Sequence, residues 1–97
     1  MRTFYSEYVQ HCIRFYARHA NPKFRSDADK KNWFACDSAL KGFTDKEREM
    51  LLTIYRERDT IPDNIYNLSV ALEIKQDILW KLVNELERKV AKRRGLV

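Results

Sequence analysis

The sequence predicts an all-α protein, and two observations support this prediction. The 97 residues include only two glycines and two prolines, so few positions break a helix or form the tight turns that short strands need. Apolar residues recur at helical spacing, whereas β-branched residues are scattered rather than gathered in alternating runs. Because 44% of the residues are hydrophobic, one packed interior can form, and we expect a single domain over residues 1–97 with about five short helices.

Residues 1–42 are expected to form an N-terminal pair of helices. The first spans about Thr3 to Ala20, and its aromatic and aliphatic side chains lie mainly on one face: Phe4, Tyr5, Tyr8, Val9, Cys12, Ile13, Phe15 and Tyr16. Asn21-Pro22 ends this helix because proline disfavours helical geometry at the residue before it. The aromatic side chains either extend the core or form a surface for a partner.

The second predicted helix begins after Ser26, a residue type that caps helix N-termini, and runs to about Lys41. Gly42 is the predicted stop, because glycine is common just after a helix. We expect this helix to bury Trp33, Phe34 and Leu40, with Cys36 as a further candidate.

Residues 43–97 are expected to form a trio of helices. Thr44 and Glu47 have the spacing of a capping box, which opens the third helix. Its apolar residues form one stripe: Met50, Leu51, Ile54 and Tyr55. Pro62 is expected in a first helical turn, where its missing N–H costs little. The fourth helix is predicted over about Asp63 to Leu72, and the fifth over about Gln76 to Arg93.

The stretch "EIKQD", from Glu73 to Asp77, decides whether the last two segments are one helix or two. Helix propensity favours one, because the stretch contains no glycine or proline. The apolar pattern favours two helices that cross steeply and share one core, because these residues cannot all face one side of a straight helix: Leu68, Ala71, Leu72, Ile74, Leu79 and Val83. We therefore predict a helix-turn-helix.

The segment "LSVALEIKQDILWKLV" (Leu68 to Val83) resembles the helix-turn-helix of bacterial sigma factor region four. Ser69 occupies the position of the small residue, and Glu73 stands where the turn glycine is usual, so the turn requires Glu73 in a non-helical conformation. The upstream "FTDKEREMLLTIY" and the downstream "ELERKVAKRRGL" resemble the opening helix and the basic end of that region. The chain is similar in size and ending to small phage and mobile-element transcription regulators of the ArpU/RinA kind.

This resemblance implies that the fifth helix is a recognition helix, which reads DNA from the major groove. The base-facing residues would be Lys75, Gln76, Trp80, Lys81 and Asn84. The phosphate-binding residues would be Arg88, Lys89, Lys92, Arg93 and Arg94. Two alternatives stay open: the helix dipole alone favours a basic helix end, and Trp80 is equally compatible with packing in the core or at an interface.

The net charge of +5 fits a polyanionic partner such as nucleic acid or an anionic membrane surface but does not identify one. No apolar stretch approaches the ~20 residues of a membrane span. Two cysteines are too few for a disulfide-stapled module, so we expect a cytoplasmic protein.

Catalysis and metal binding find little support in the sequence. The His and Cys residues match no common zinc pattern, and there is no glycine-rich phosphate loop or nucleophile elbow. We expect a regulator of transcription that is not an enzyme and uses no cofactor or metal. Its expected partner is double-stranded DNA, with RNA polymerase as a further candidate and a homodimer as an open alternative. The competing hypothesis is an adaptor that contacts RNA polymerase or another regulator without reading DNA.

Overall fold

The computed structural model describes residues 5–19 and 23–96, and these residues form helices and connectors without any strand. The helices are α1 (Ser6–Arg18), α2 (Asp27–Leu40), α3 (Asp45–Arg56), α4 (Ile61–Leu72) and α5 (Gln76–Arg93). The all-α prediction with five helices is therefore confirmed for the described part of the chain. The predicted ends of the first helix, Thr3 and Ala20, lie outside the described residues.

The predicted N-caps of α2 and α3 are confirmed. Ser26 Oγ accepts a hydrogen bond of 3.2 Å from the backbone N–H of Asp29. At α3, the backbone N–H of Thr44 donates to Glu47 Oε1 at 2.9 Å, and the backbone N–H of Glu47 donates to Thr44 Oγ1 at 3.1 Å. This reciprocal pair is the capping box that the sequence spacing predicts, and it pairs two N–H groups that the helix leaves without partners.

The fourth helix begins at Ile61, two residues before the predicted start at Asp63. The helix is capped by Thr60, one of the residues whose type predicts a turn and a helix start here: Thr60 Oγ1 accepts a hydrogen bond of 3.2 Å from the backbone N–H of Asp63. Pro62 lies in the first helical turn, as predicted. The fifth helix has the predicted bounds, Gln76 to Arg93.

The helix α2 ends next to the predicted stop at Gly42, but through a different backbone conformation from the one that glycine usually provides at a helix end. The helix ends at Leu40, and the N–H of Gly42 bonds back to the carbonyl of Ala39 at 3.2 Å in a tight turn, so Gly42 does not adopt a left-handed conformation. A Cβ atom here would lie 2.8 Å from Lys89 Nζ, the end of a flexible side chain that can move aside.

The core lies where α5 packs against each of the other four helices. Its largest fully buried side chains come from α1, α3, α4 and α5: Val9, Ile13, Leu51, Ile54, Tyr55, Ile65, Leu79, Val83, Leu86 and Val90. Cys36 and Leu40 of α2 are buried as expected, and Trp33 is half-buried. The prediction that Phe34 is buried is wrong, because α2 turns Ala35, Cys36, Ala39 and Leu40 inward and leaves Phe34 on the opposite side, 51% exposed.

The prediction of one shared core between the last two helices is correct for some residues only. Leu79 and Val83 are buried, and Leu68 and Ile74 are half-buried. Ala71 and Leu72 are exposed. Ala71 lies away from the buried side of α4, and Leu72 lies in the last turn, next to the solvent-exposed loop.

The connector between α3 and α4 is held by side chains that bind its backbone carbonyls. Arg14 of α1 donates to the carbonyl of Glu57 at 2.6 Å and to that of Asp59 at 2.7 Å. Asn64 of α4 is buried, and its Nδ2 donates to the carbonyls of Ile54 at 2.8 Å and Asp59 at 3.1 Å. The last carbonyls of α3 lack partners within the helix, and a cation is favoured there by the helix dipole. These bonds fix the path of the connector and therefore the direction of α4 relative to α3.

A buried polar pair joins α3 to α5. The Tyr55 hydroxyl donates to Glu87 Oε2 at 2.6 Å, and both side chains are buried. Burial first, and then the neighbouring Glu87 carboxylate, raise the pKa of Tyr55 well above its ordinary value. Tyr55 therefore stays protonated and serves as a donor to the carboxylate.

Candidate nucleic-acid interface

The turn between α4 and α5 is built around Glu73. Its backbone is left-handed, with φ +54° and ψ +44°, and it is the one non-glycine residue with positive φ in the described chain. The N–H of Glu73 donates to the carbonyl of Val70 at 3.3 Å, and the N–H of Ile74 donates to that of Ser69 at 3.0 Å. These two bonds make a Schellman motif, which ends α4 and redirects the chain into α5 within three residues. The predicted non-helical conformation of Glu73 is confirmed.

The solvent-facing side of α5 carries a line of polar residues at helical spacing. Lys81, Asn84, Arg88 and Lys92 are three or four residues apart and are all exposed. Within the described residues, Lys81, Arg88 and Lys92 form no ion pair. We call these four residues the outer line of α5. A groove of about 500 Å³ runs beside it and is also lined by Ser6 of α1 and by Tyr5, the N-cap residue of that helix.

Three acidic residues lie near the outer line. Asp77 and Glu85 are exposed, and Glu87 is buried but lines the same groove as Lys81 and Arg88. Glu85 lies 3.4 Å from Lys89 Nζ in an i, i+4 ion pair, so its charge is offset within the helix. Asp77 lies in the first turn of α5, where the helix dipole favours a carboxylate.

The remaining residues predicted to face bases lie at the start and on the flank of α5. Lys75 is the N-cap residue, but its side chain makes no capping hydrogen bond, and both Lys75 and Gln76 are exposed. Trp80 is half-buried and lines a cleft of about 540 Å³ with Pro62 and Val83. Trp80 also packs against the core cluster, and its predicted contact with bases stays a prediction.

The five residues predicted to bind phosphate lie on two sides of α5. Arg88 and Lys92 belong to the outer line. The other three turn toward the segment that contains α2 and the loop after it. Lys89 Nζ lies 4.7 Å from the centroid of the Phe43 ring, and Arg93 Nε donates to Ser38 Oγ at 3.0 Å.

Arg94 completes this second group. Its Nε donates to Asn32 Oδ1 on α2. Together with Arg93 it faces Lys30 and Lys31 of α2 across a surface groove. No local sequence pattern pairs Lys30 and Lys31 with Arg93 and Arg94, because the two pairs are about sixty residues apart in the chain and only tertiary packing brings them together.

Exposed apolar side chains lie on α4 and at the start of α5. Tyr66 is 55% exposed and Val70 is 59% exposed, one helical turn apart on the same side of α4. Leu72 and Ile78, on either side of the turn, are also exposed. An exposed apolar patch of this kind is typical of a surface that contacts another protein.

Comparison of the chain with protein-family models, with curated proteins and with solved structures gives no match. Among the described helices, none is both long and apolar enough to cross a lipid bilayer.

Proposed function

We propose that this protein binds double-stranded DNA through the helix-turn-helix formed by α4 and α5 and acts as a regulator of transcription, like the sigma region four domains that its sequence resembles. The observation that carries this proposal is the outer line of α5, which follows directly after the left-handed turn at Glu73. One side of α5 is buried in the core, and its solvent side carries cations without ion-pair partners among the described residues. Such a side suits the major groove, where it meets base edges and flanking phosphates.

In this proposal, the residues of the outer line have different roles. Asn84 offers an amide that can pair with adenine, and Lys81 offers an ammonium group for guanine or phosphate. Arg88 and Lys92 lie nearer the end of α5, where they bind phosphates and supply affinity without sequence choice. Lys75 and Gln76 stand at the N-terminal end of the helix, which enters the groove first in helix-turn-helix proteins.

A fluorescence-anisotropy titration against a labelled mixed-sequence duplex tests the proposal. If Lys81, Arg88 and Lys92 neutralise three phosphates, the affinity should fall about 40-fold between 50 and 200 mM salt, from a slope of roughly −0.9 per phosphate. The double variant Lys81→Ala/Arg88→Ala should bind more weakly and lose about two thirds of that salt dependence.

A matched control removes the same charge elsewhere. Lys46 and Arg58 are exposed and lie on α3 and on its connector to α4. The variant Lys46→Ala/Arg58→Ala should keep most of the affinity, because its cations lie outside the outer line. Equal losses in the two double variants would show that net charge alone drives binding, and no binding at 50 mM salt would refute the proposal.

The exposed Tyr66 and Val70 favour a second candidate function, an adaptor that contacts RNA polymerase or another regulator through α4. Under this alternative, Lys81→Ala/Arg88→Ala leaves the protein's activity in a reconstituted transcription assay unchanged. Tyr66→Ala/Val70→Ala abolishes it. Loss of activity in Lys81→Ala/Arg88→Ala, with activity kept in Tyr66→Ala/Val70→Ala, would instead favour DNA binding.

A further inference from the structure

A basic groove lies between α2 and the C-terminal end of α5, apart from the outer line of α5. Its volume is about 610 Å³. Four cationic side chains and one carboxylate line it, together with one aromatic and two small residues: Lys30, Lys31, Arg93, Arg94, Asp27, Phe34, Ala35 and Ser38. We call it the α2–α5 groove. Its excess of positive charge suits an anionic chain.

The two arginines of the α2–α5 groove are held in place by neutral partners. Arg93 Nε donates to Ser38 Oγ at 3.0 Å, and Arg94 Nε donates to Asn32 Oδ1 at 2.5 Å. A hydroxyl and an amide orient the guanidinium groups without cancelling their charge. Lys30 and Lys31 are exposed and form no ion pair within the part of the chain that the structure describes. All four cations therefore remain available to phosphate groups.

Phe34 gives this groove an aromatic surface. The side chain is 51% exposed, although its neighbours hold the ring in place. The Trp33 ring lies 5.2 Å away between centroids at an interplanar angle of 82°, and the Phe24 ring lies 6.2 Å away. An aromatic ring that is braced and half-exposed among cations is the arrangement on which unpaired bases stack in proteins that bind single strands.

We propose that the α2–α5 groove binds a single strand of nucleic acid, with its phosphates on Lys30, Lys31, Arg93 and Arg94 and an unpaired base stacked on Phe34. This site is separate from the outer line of α5, which is proposed to bind duplex DNA. A duplex is a poorer occupant because its base faces are covered by stacking, and an acidic peptide offers no flat ring to pair with Phe34. A single strand offers both the phosphates that the four cations can bind and an unpaired base that can stack on Phe34.

Anisotropy titrations of the full chain with a labelled twelve-nucleotide thymidine strand test this proposal at 50 mM salt. Phe34→Ala should weaken single-strand binding by about 5- to 150-fold, the range measured for loss of one base stack, and should leave duplex binding unchanged. Phe34→Tyr, which keeps the ring, should retain affinity. Lys30→Ala/Lys31→Ala should also weaken single-strand binding and reduce its salt dependence.

The matched variant Lys81→Ala/Arg88→Ala separates this proposal from the one above. It should weaken duplex binding and spare the single strand. Single-strand binding that depends on Phe34 would support the groove even if the duplex were not bound. Equal affinity of Phe34→Ala and the parent for the strand would overturn the proposal. Tighter binding of a polyglutamate peptide than of the strand would also overturn it and indicate an acidic partner.

Discussion

Replacement of Glu73 by glycine should stabilise the protein, because Glu73 holds a left-handed backbone at φ +54° and ψ +44°. In that conformation the Cβ atom of an L-residue crowds the following carbonyl, at a cost of roughly 1–2 kcal/mol, which glycine avoids. The Glu73 side chain is exposed and makes no hydrogen bond or ion pair within the described residues. Its removal therefore costs little.

The net gain is smaller than the strain that is relieved. Glycine also gives the unfolded chain more freedom, which offsets about 0.4–1 kcal/mol. We expect the free energy of unfolding of Glu73→Gly to rise by about 0.5–1 kcal/mol. For a domain of this length, that corresponds to an increase in Tm of about 2–8 °C.

Urea titrations followed by circular dichroism measure this change, with two controls. Glu73→Ala removes the charge and keeps the Cβ atom, so its stability should stay within about 0.5 kcal/mol of the parent. Glu49→Gly places glycine at an exposed position inside α3, where it should destabilise by about 1 kcal/mol. If Glu73→Gly destabilises the protein as Glu49→Gly does, residue 73 is helical and α4 and α5 form one continuous helix.

Three further variants or conditions test the core and its connections. Asn64→Ala should lower the free energy of unfolding by about 1–3 kcal/mol, because the buried carbonyl of Ile54 loses its side-chain donor, while that of Asp59 keeps Arg14. In the same urea titration, replacement of the exposed Asn67 by alanine should change it by less than about 0.5 kcal/mol. Tyr55→Phe should cost about 1–3 kcal/mol, because the Glu87 carboxylate loses a buried donor; a cost near zero in thermal unfolding would show that the pair contributes nothing to stability. Burial raises the pKa of Cys36 from 9.0 to about 12, so the unfolded chain releases the thiol proton at a lower pH than the folded chain does. The contribution of Cys36 to the free energy of unfolding should therefore be constant below about pH 9 and fall above it. The slope should be about −1.4 kcal/mol per pH unit for each such group, and a urea midpoint that does not fall between pH 8 and 10.5 would contradict it.

Sequence signals that act over a few residues predicted the fold well. The capping box of Thr44 and Glu47 spans four residues, and both of its hydrogen bonds are present. At "EIKQD", helix propensity favoured one helix and the apolar pattern favoured two, and the structure has two. The buried positions of α4 and α5 require a change in chain direction, which helix propensity does not take into account. The predicted start of α4, Asp63, is two residues late, because the sequence pattern places Thr60 in the helix start without identifying it as the N-cap itself. Its hydroxyl has the same spacing to Asp63 that Thr44 has to Glu47.

Features that depend on tertiary packing could not be predicted from local patterns. Phe34 looks like a core residue beside Trp33, but which side of α2 is buried depends on where α5 lies. The same packing divides the basic end of α5, so that Arg93 and Arg94 join α2 instead of the outer line. DNA binding by the outer line and single-strand binding by the α2–α5 groove stay predictions until the titrations above are made.

The connector after α3 also bears on how this protein can be modified. Arg14 and Asn64 hold residues 57–59 through main-chain carbonyls, which every amino acid carries. The side chains of Glu57, Arg58 and Asp59 all project into solvent. Substitution there changes the surface without removing the bonds that fix the path of the chain. A fluorescent label at Arg58 would therefore leave the angle between α3 and α4 intact and could be used to follow binding. In related sequences, amino-acid substitutions should be most frequent at these three positions.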